Sequence, residues 1–566
     1  MKHVTCSNCK KDFIIEPDDF AFYEKIAVPP PTHCPECRAI RRLAWRNERY
    51  FYKRKCDATG KDVFTYFHPD APVKVYDRDY WWSDAWDAME YGRDYDFSRP
   101  FFEQFKELLY EVPHFSRSVI NLQNSDYCMN CADVKNCYML FNGSKNESCM
   151  YCNVTTKSRD CIDCTSIASC ELCYECTLCS GCFRCFFCVD CDNSRDSFFL
   201  KDCNNCSDCF GCVGLRNKQY YIFNEPYSKE EYQQRLSKLL PSSRSLIADH
   251  IAKRDALALT LPVRSTRGLQ NLNSEGEYLY NCKNVRKSYE VHGAEDSKFC
   301  QMVINQPSIR DCYDYSIVGM GAETMYEDLG CGLGSSHVFF SIWMYPDVQR
   351  AEYSFACSSS KDIFGCVGLR KMQYCIFNKQ YTPEEYDQLV AKIKANMMRD
   401  KEYGEFFPTS MSMYGYNETI AQDFFPKTKD EALAQKFLWR DPLLKKYEIT
   451  KSWRDLPDSI LDVSDEILKE NILCRAWDES EIRAQEHGCT KVFRITPQEL
   501  LFYRANKISL PQKCFYSRCK DRYQYKQKMA LYRRACAKCN AEIQTSYSPD
   551  RPEIVYCEQC YNKEIL

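Results

Sequence analysis

The sequence predicts a multi-domain, mainly β protein. Two parallel β-solenoids with short, twelve-residue coils and helical caps are flanked at each end by copies of one cysteine module. Three observations carry this. Nineteen cysteines from Cys128 to Cys212 are all separated by multiples of three. Cys137, Cys149, Cys161, Cys173, Cys185 and Cys209 recur every twelve residues, with Ser197 in the one remaining slot. The two chain ends match at a constant offset of 480: Cys9, Phe13, Pro17 and Phe22 against Cys489, Phe493, Pro497 and Phe502.

The predicted order is a module with one intact and one degenerate metal site (1–118), a cysteine-rich solenoid (119–225), a cap and linker (226–270), a second solenoid (271–378), a cap and connector (379–470) and a second module (471–566). A net charge of −3 gives no global argument for nucleic acid, so any such case must be local. No apolar leader follows Met1 and no run of about eighteen apolar residues appears, so the expectation is a cytoplasmic protein away from membranes. Thirty-nine cysteines in that setting point to reduced thiols and metal ligands rather than a disulfide scaffold.

Cys6-Ser-Asn-Cys9 and Cys34-Pro-Glu-Cys37 form two C-x₂-C pairs, the ligand pattern of a closed, structural Zn²⁺ site. In the second copy Cys536, Cys539, Cys557 and Cys560 make another complete set, whereas their first-copy counterparts are Cys56, Thr59, Asp77 and Tyr80. Apolar packing must replace that lost metal, and Trp81, Trp82 and Trp86 stand close by. Conversely, Glu486 and Ser517 replace two ligands of the first set; Cys474 and Cys519 are the expected substitutes, completing a third site with Cys489 and Cys514.

Cys6-x₂-Cys9-Lys-Lys-x-Phe13, Phe22-Tyr23 and Pro31-x₂-Cys34-x₂-Cys37-Arg38 resemble the zinc-ribbon or treble-clef domain of many bacterial proteins. The resemblance covers residues 3–45 and implies a zinc knuckle, a hairpin and a helix starting at the second C-x₂-C. The whole chain is similar to cysteine-rich zinc-ribbon proteins of candidate-phyla bacteria, some of which carry a CaiB/BaiF CoA-transferase label. No nucleotide or CoA signature in this sequence supports that label.

If the helix beginning near Cys34 continues, Arg38, Arg42, Arg46, Arg49 and Lys53 line one face, extended by Arg54 and interleaved with aromatics. That stripe suits phosphate and bases of RNA or DNA. The alternative is a solvated face paired with Asp84, Asp87, Asp94 and Asp96.

In the first solenoid a coil of four three-residue sides leaves an interior about 10 Å across, room for one layer of small side chains. The thiols are therefore read first as packing groups. Metal clusters and a ladder of disulfides between coils remain the chemical alternatives. The second solenoid replaces many of these cysteines, for example by Ser288, Val303, Tyr315 and Ile363, which packing tolerates and a cluster does not. Ser228-x-x-Glu231 and Thr382-Pro-x-Glu385 announce the capping helices.

The function this supports is a zinc-binding scaffold that presents surfaces to a protein partner. A nucleic-acid- or ribosome-associated protein using residues 38–55, and a thiol-based metal or redox protein, stand as alternatives. Eight scattered histidines, with no nucleophile–base pair or phosphate loop, argue against catalysis.

Overall fold

The computed structural model describes residues 1–303, 308–441, 443 and 446–565. Expectations for 304–307 in the second repeat region, 442, 444 and 445 in the connector, and 566 lie outside the described residues. The architecture is mainly β, with many parallel strands in several sheets and helices between and around them.

Between Val119 and Ile222 short strands stack in parallel, each registered on the strand twelve residues later: Met129 on Phe141, Asn153 on Thr165, Thr165 on Thr177, Phe183 on Arg195 and Ser207 on Gln219. The period of three has a backbone cause. Asp160, Asp163, Ser166, Ser169, Leu172 and Glu175 all have φ between 51° and 57°, so the chain turns at every third residue. The residue after each turn points inward: Cys161, Cys164, Ile167, Cys170, Cys173 and Cys176 are at most 2% exposed. Asn and Asp tolerate a left-handed backbone better than other side-chain-bearing residues, which explains Asn121, Asn124, Asn130, Asp133 and Asn136 at successive turns.

The second region, from Gly268 to Ile376, is also a parallel stack, but its coils are not uniformly twelve residues long. Gln301 pairs with Ser316, Arg310 with Glu323, Glu323 with Ser336 and Ser336 with Gln349, before Gln349 on Lys361 and Lys361 on Gln373 restore the step of twelve. Its buried column is mixed, running Cys312, Met325, Val338, Ala351, Ile363 and Cys375 where the first stack is mostly cysteine.

Both caps form as the sequence predicts. Ser228 and Glu231 bond reciprocally at 2.9 and 3.2 Å and start the helix Lys229–Leu239; Thr382 and Glu385 do the same at 3.0 and 3.2 Å before Pro383–Arg399. Buried Tyr232 then covers Tyr220 and buried Tyr386 covers Tyr374 at the stack ends.

The end modules share four elements in the same order. Pro17–Lys25, Pro35–Leu43, Tyr52–Lys55 and Asp62–Thr65 recur as Pro497–Asn506, Phe515–Tyr523, Tyr532–Ala535 and Glu542–Thr545. The modules touch each other, with Tyr50 stacked on Tyr516 at 5.2 Å. Their arginine helices dock crosswise, Pro35–Leu43 on the second stack and Phe515–Tyr523 on the first. The helix expected to run on toward Lys53 ends at Leu43, and Tyr52–Lys55 is a strand paired with Asp62–Thr65.

Candidate metal centres and the arginine docks

The sulfurs of Cys6, Cys9, Cys34 and Cys37 all lie within 4.8 Å of one another, as do those of Cys536, Cys539, Cys557 and Cys560. Each set can hold a metal ion. In the first, the hairpin Lys2–Thr5/Asp12–Ile15 carries Cys6 and Cys9, and Cys34 is the N-cap of Pro35–Leu43. The Cys34 amide donates to Cys6 Sγ at 3.3 Å, the Asn8 amide donates to Cys37 Sγ at 3.3 Å, and Cys9 and Cys34 sulfurs are 3.7 Å apart. Hydrogen bonding from Cys34, and then from Asn8, pulls the Cys37 thiol down to about 4 despite burial. In the second set the Cys557 amide donates to Cys536 Sγ at 3.2 Å, and Cys539 and Cys557 sulfurs are 3.8 Å apart. Against desolvation, the backbone donors of Cys557 and Cys539 hold the Cys536 thiol down to about 6.

The degenerate copy keeps the knuckle without its ligands. The amides of Thr59 and Asp77 still donate to Cys56 Sγ, at 3.4 and 3.1 Å. Asp77 now caps the short helix Arg78–Trp82, accepting from the amides of Asp79 and Tyr80. Trp81 is buried with its indole N–H on Pro113 O, and Trp86 donates to Trp81 O; Trp82 is 41% exposed and contributes less.

The third set is altered from expectation. Cys474, Cys489 and Cys514 converge within 4.8 Å, but Cys519 is not among them. It lies in the same helix on another face, in the main apolar core, while Ser517 faces the thiols at 3.4 Å from Cys514 Sγ.

Among the described residues, no three thiols of the first stack converge in this way. They are free cysteines whose S–H groups point at main-chain carbonyls, as Cys173 does toward Glu171 O at 3.5 Å and Cys182 O at 3.6 Å.

The basic stripe is not on the surface. Arg38, Arg42, Arg46 and Arg49 are buried. Arg38 Nε donates to Asp314 at 2.9 Å, Arg42 lies 3.2 Å from Glu327, and neighbouring Arg41 bridges Glu327 and Glu405 at 2.9 Å each. Arg46 bonds Glu48 and Arg49 bonds Asp423, both at 2.7 Å. Arg54 donates to the carbonyls of His68 and Val73, leaving Lys53 exposed beside Asp62. Apart from Glu48, which lies just past the helix in the same module, the acids come from the second stack and connector, not from the Asp84–Asp96 region, because the helix packs onto that stack rather than facing water.

The last module repeats the contact on the first stack: Arg518 Nε donates to Asp163 at 2.9 Å and Arg522 to Glu175 at 3.0 Å. Both docks use one column of turn residues. Tyr151, Asp163 and Glu175 on successive coils of the first stack match Phe299, Asp314 and Glu327 on the second, and each aromatic lies under the leading arginine. Two arginines four residues apart on a helix are separated by about 6 Å along its axis, close to the roughly 4.8 Å between stacked coils. Burial raises Glu175 to about 7 against the pull of Arg522, whereas Arg41 and Arg42 overcome burial to lower Glu327. The shared aromatic-Asp-Glu column was the available sequence signal, obscured by the lengthened coils.

No family model matches this chain, and no curated protein does. A solved structure, a putative acetyltransferase from Desulfovibrio desulfuricans G20, is similar at 10% identity and a TM-score of 0.11, over 44% of this chain and 63% of that one; a likeness this slight carries no argument.

Proposed function

We propose that this protein is a zinc-binding scaffold without catalytic activity. In this reading, two narrow β-solenoids are held by terminal treble-clef or zinc-ribbon modules and present their outer surfaces to a protein partner. The observation that carries it is the pair of complete four-thiol sets. Tetrahedral zinc with sulfurs at 2.3 Å requires them about 3.8 Å apart, and the close pairs stand at 3.7 and 3.8 Å. Four protein ligands close the coordination shell, which suits a structural ion. In the first set, Cys37 lies in the same helix as Arg38, Arg41 and Arg42, so the metal would order the element that docks on the stack. Free thiols in such number suit a reducing, cytoplasmic setting. The nucleic-acid alternative is not carried forward, since four of its six basic residues are engaged in buried ion pairs or hydrogen bonds to acids.

Elemental analysis of protein purified without added metal tests the reading. At least two zinc ions per chain are expected; stoichiometric iron, or fewer than two zinc ions, would refute the assignment.

A further inference from the structure

We propose that Cys474, Cys489, Cys514 and the hydroxyl of Ser517 form a third zinc site, with three sulfurs and one oxygen, that binds its metal more weakly than the two four-thiolate sites.

The strand Ile472–Leu473 pairs with Val492–Phe493 as Lys2–Thr5 pairs with Asp12–Ile15, and the register places Ile472 opposite Phe493 as Val4 lies opposite Phe13. Cys474 therefore follows its strand just as Cys6 does. The Cys514 amide donates to Cys474 Sγ at 3.2 Å, matching the 3.3 Å bond from Cys34 to Cys6. Two short helices, Arg475–Glu479 and Glu481–Glu486, fill the chain between Cys474 and Cys489 where the first copy has only Ser7 and Asn8. The knuckle is split by this insertion, and its geometry survives.

The distances favour a tetrahedral ion. Cys514 and Cys489 sulfurs are 3.6 Å apart, near the separation in the complete sets. A tetrahedral zinc with S at 2.3 Å and O near 2.0 Å places sulfur and oxygen about 3.5 Å apart. Ser517 Oγ lies 3.4 Å from Cys514 Sγ and 3.8 Å from Cys474 Sγ. All three thiols are at most 1% exposed and Ser517 is 5% exposed, so the cluster is enclosed. Binding displaces three thiol protons and leaves the serine hydroxyl neutral, one thiolate fewer than in the other sites.

The proposal rests on the zinc reading of the two complete sets, and the test separates them. Full-length protein is saturated with zinc, freed of excess, and challenged with the chromogenic chelator 4-(2-pyridylazo)resorcinol at increasing concentration. Three equivalents are expected, one of them lost at chelator concentrations at least tenfold below those needed for the other two. Cys489→Ser should remove only the weak equivalent, and Ser517→Cys should move it into the tight class. Ser517→Ala should weaken it further. A wild type that saturates at two equivalents, with Cys489→Ser unchanged, would overturn this site alone; binding of none would overturn the zinc reading itself. Unaltered chelator competition in both Ser517 variants would remove the oxygen ligand.

Discussion

The cysteines of the first stack fill niches one side chain deep, most with the sulfur against two carbonyls, as at Cys173. Removing one sulfur from Cys173, which is fully buried, leaves a small void, and Cys173→Ala should lower unfolding free energy by about 1 kcal/mol. Cys173→Ser should cost less. Ser197 shows why: its hydroxyl donates to Arg195 O at 2.8 Å and accepts from the Cys209 amide at 3.1 Å, keeping the inward polar contacts. Denaturant titration with zinc analysis checks both; zinc loss from either variant would mean that the stack thiols are ligands. A second residue-scale expectation concerns Glu418. Burial raises its carboxyl to about 7, although Tyr52 and the Gly415 amide bond to it. A folded-state value above the unfolded one means that the native state holds the extra proton between about pH 4.5 and 7. Stability from this group is therefore present at the acid end and lost as pH rises through that window. Glu418→Gln should gain about 2 kcal/mol relative to wild type between pH 5 and pH 8. A pH-independent difference would contradict the shift.

At the scale of elements, the docking helices depend on buried charge held by two carboxylates on each stack. Glu327 faces Arg41 at 2.9 Å and Arg42 at 3.2 Å. Glu327→Ala removes one carboxylate from each, leaving Arg41 only Glu405 and Arg42 only Asp314, and should destabilise by about 3 kcal/mol. The exposed trio Lys53, Lys55 and Asp62 is screened, and Asp62→Ala should leave the unfolding midpoint unmoved. Equal effects of the two substitutions would show that the dock is not held by its ion pairs. The glycines in the matching motifs Phe210–Arg216 and Phe364–Arg370 also belong to this scale. A Cβ on Gly211 would stand 2.3 Å from the Phe223 ring, and its φ of +66° already favours glycine.

For the whole molecule, the crossed docking ties the chain ends to the repeat they do not adjoin. Arg38 meets Asp314 and Arg518 meets Asp163, contacts that close loops of 276 and 355 residues. In the first module the docking helix begins at one thiol of a four-thiol set, Cys34, and contains another, Cys37. Stripping metal with a strong chelator should therefore release the docks before the stacks unfold. Limited proteolysis should cut first within residues 1–60 and 470–566, leaving a resistant core from about Val119 to Arg399. Simultaneous loss of stacks and modules would show that they unfold as one unit.

What repeats locally is legible in the sequence. The thiol columns revealed the twelve-residue step between parallel strands, because a left-handed turn recurs every third residue and the residue after it is buried. The C-x₂-C pairs located the four-thiol sets that can hold a metal ion, and Ser228 and Thr382 located two helix starts, because thiol pairs and capping boxes are closed by residues a few positions apart. The rest depends on contacts between segments far apart in the chain. Asp163 and Asp314 look like any other acidic turn residue until an arginine helix from the opposite end of the chain lies over them. Ser517, not Cys519, faces the third thiol cluster because the helix starting at Cys514 turns one side toward it and the other into the core.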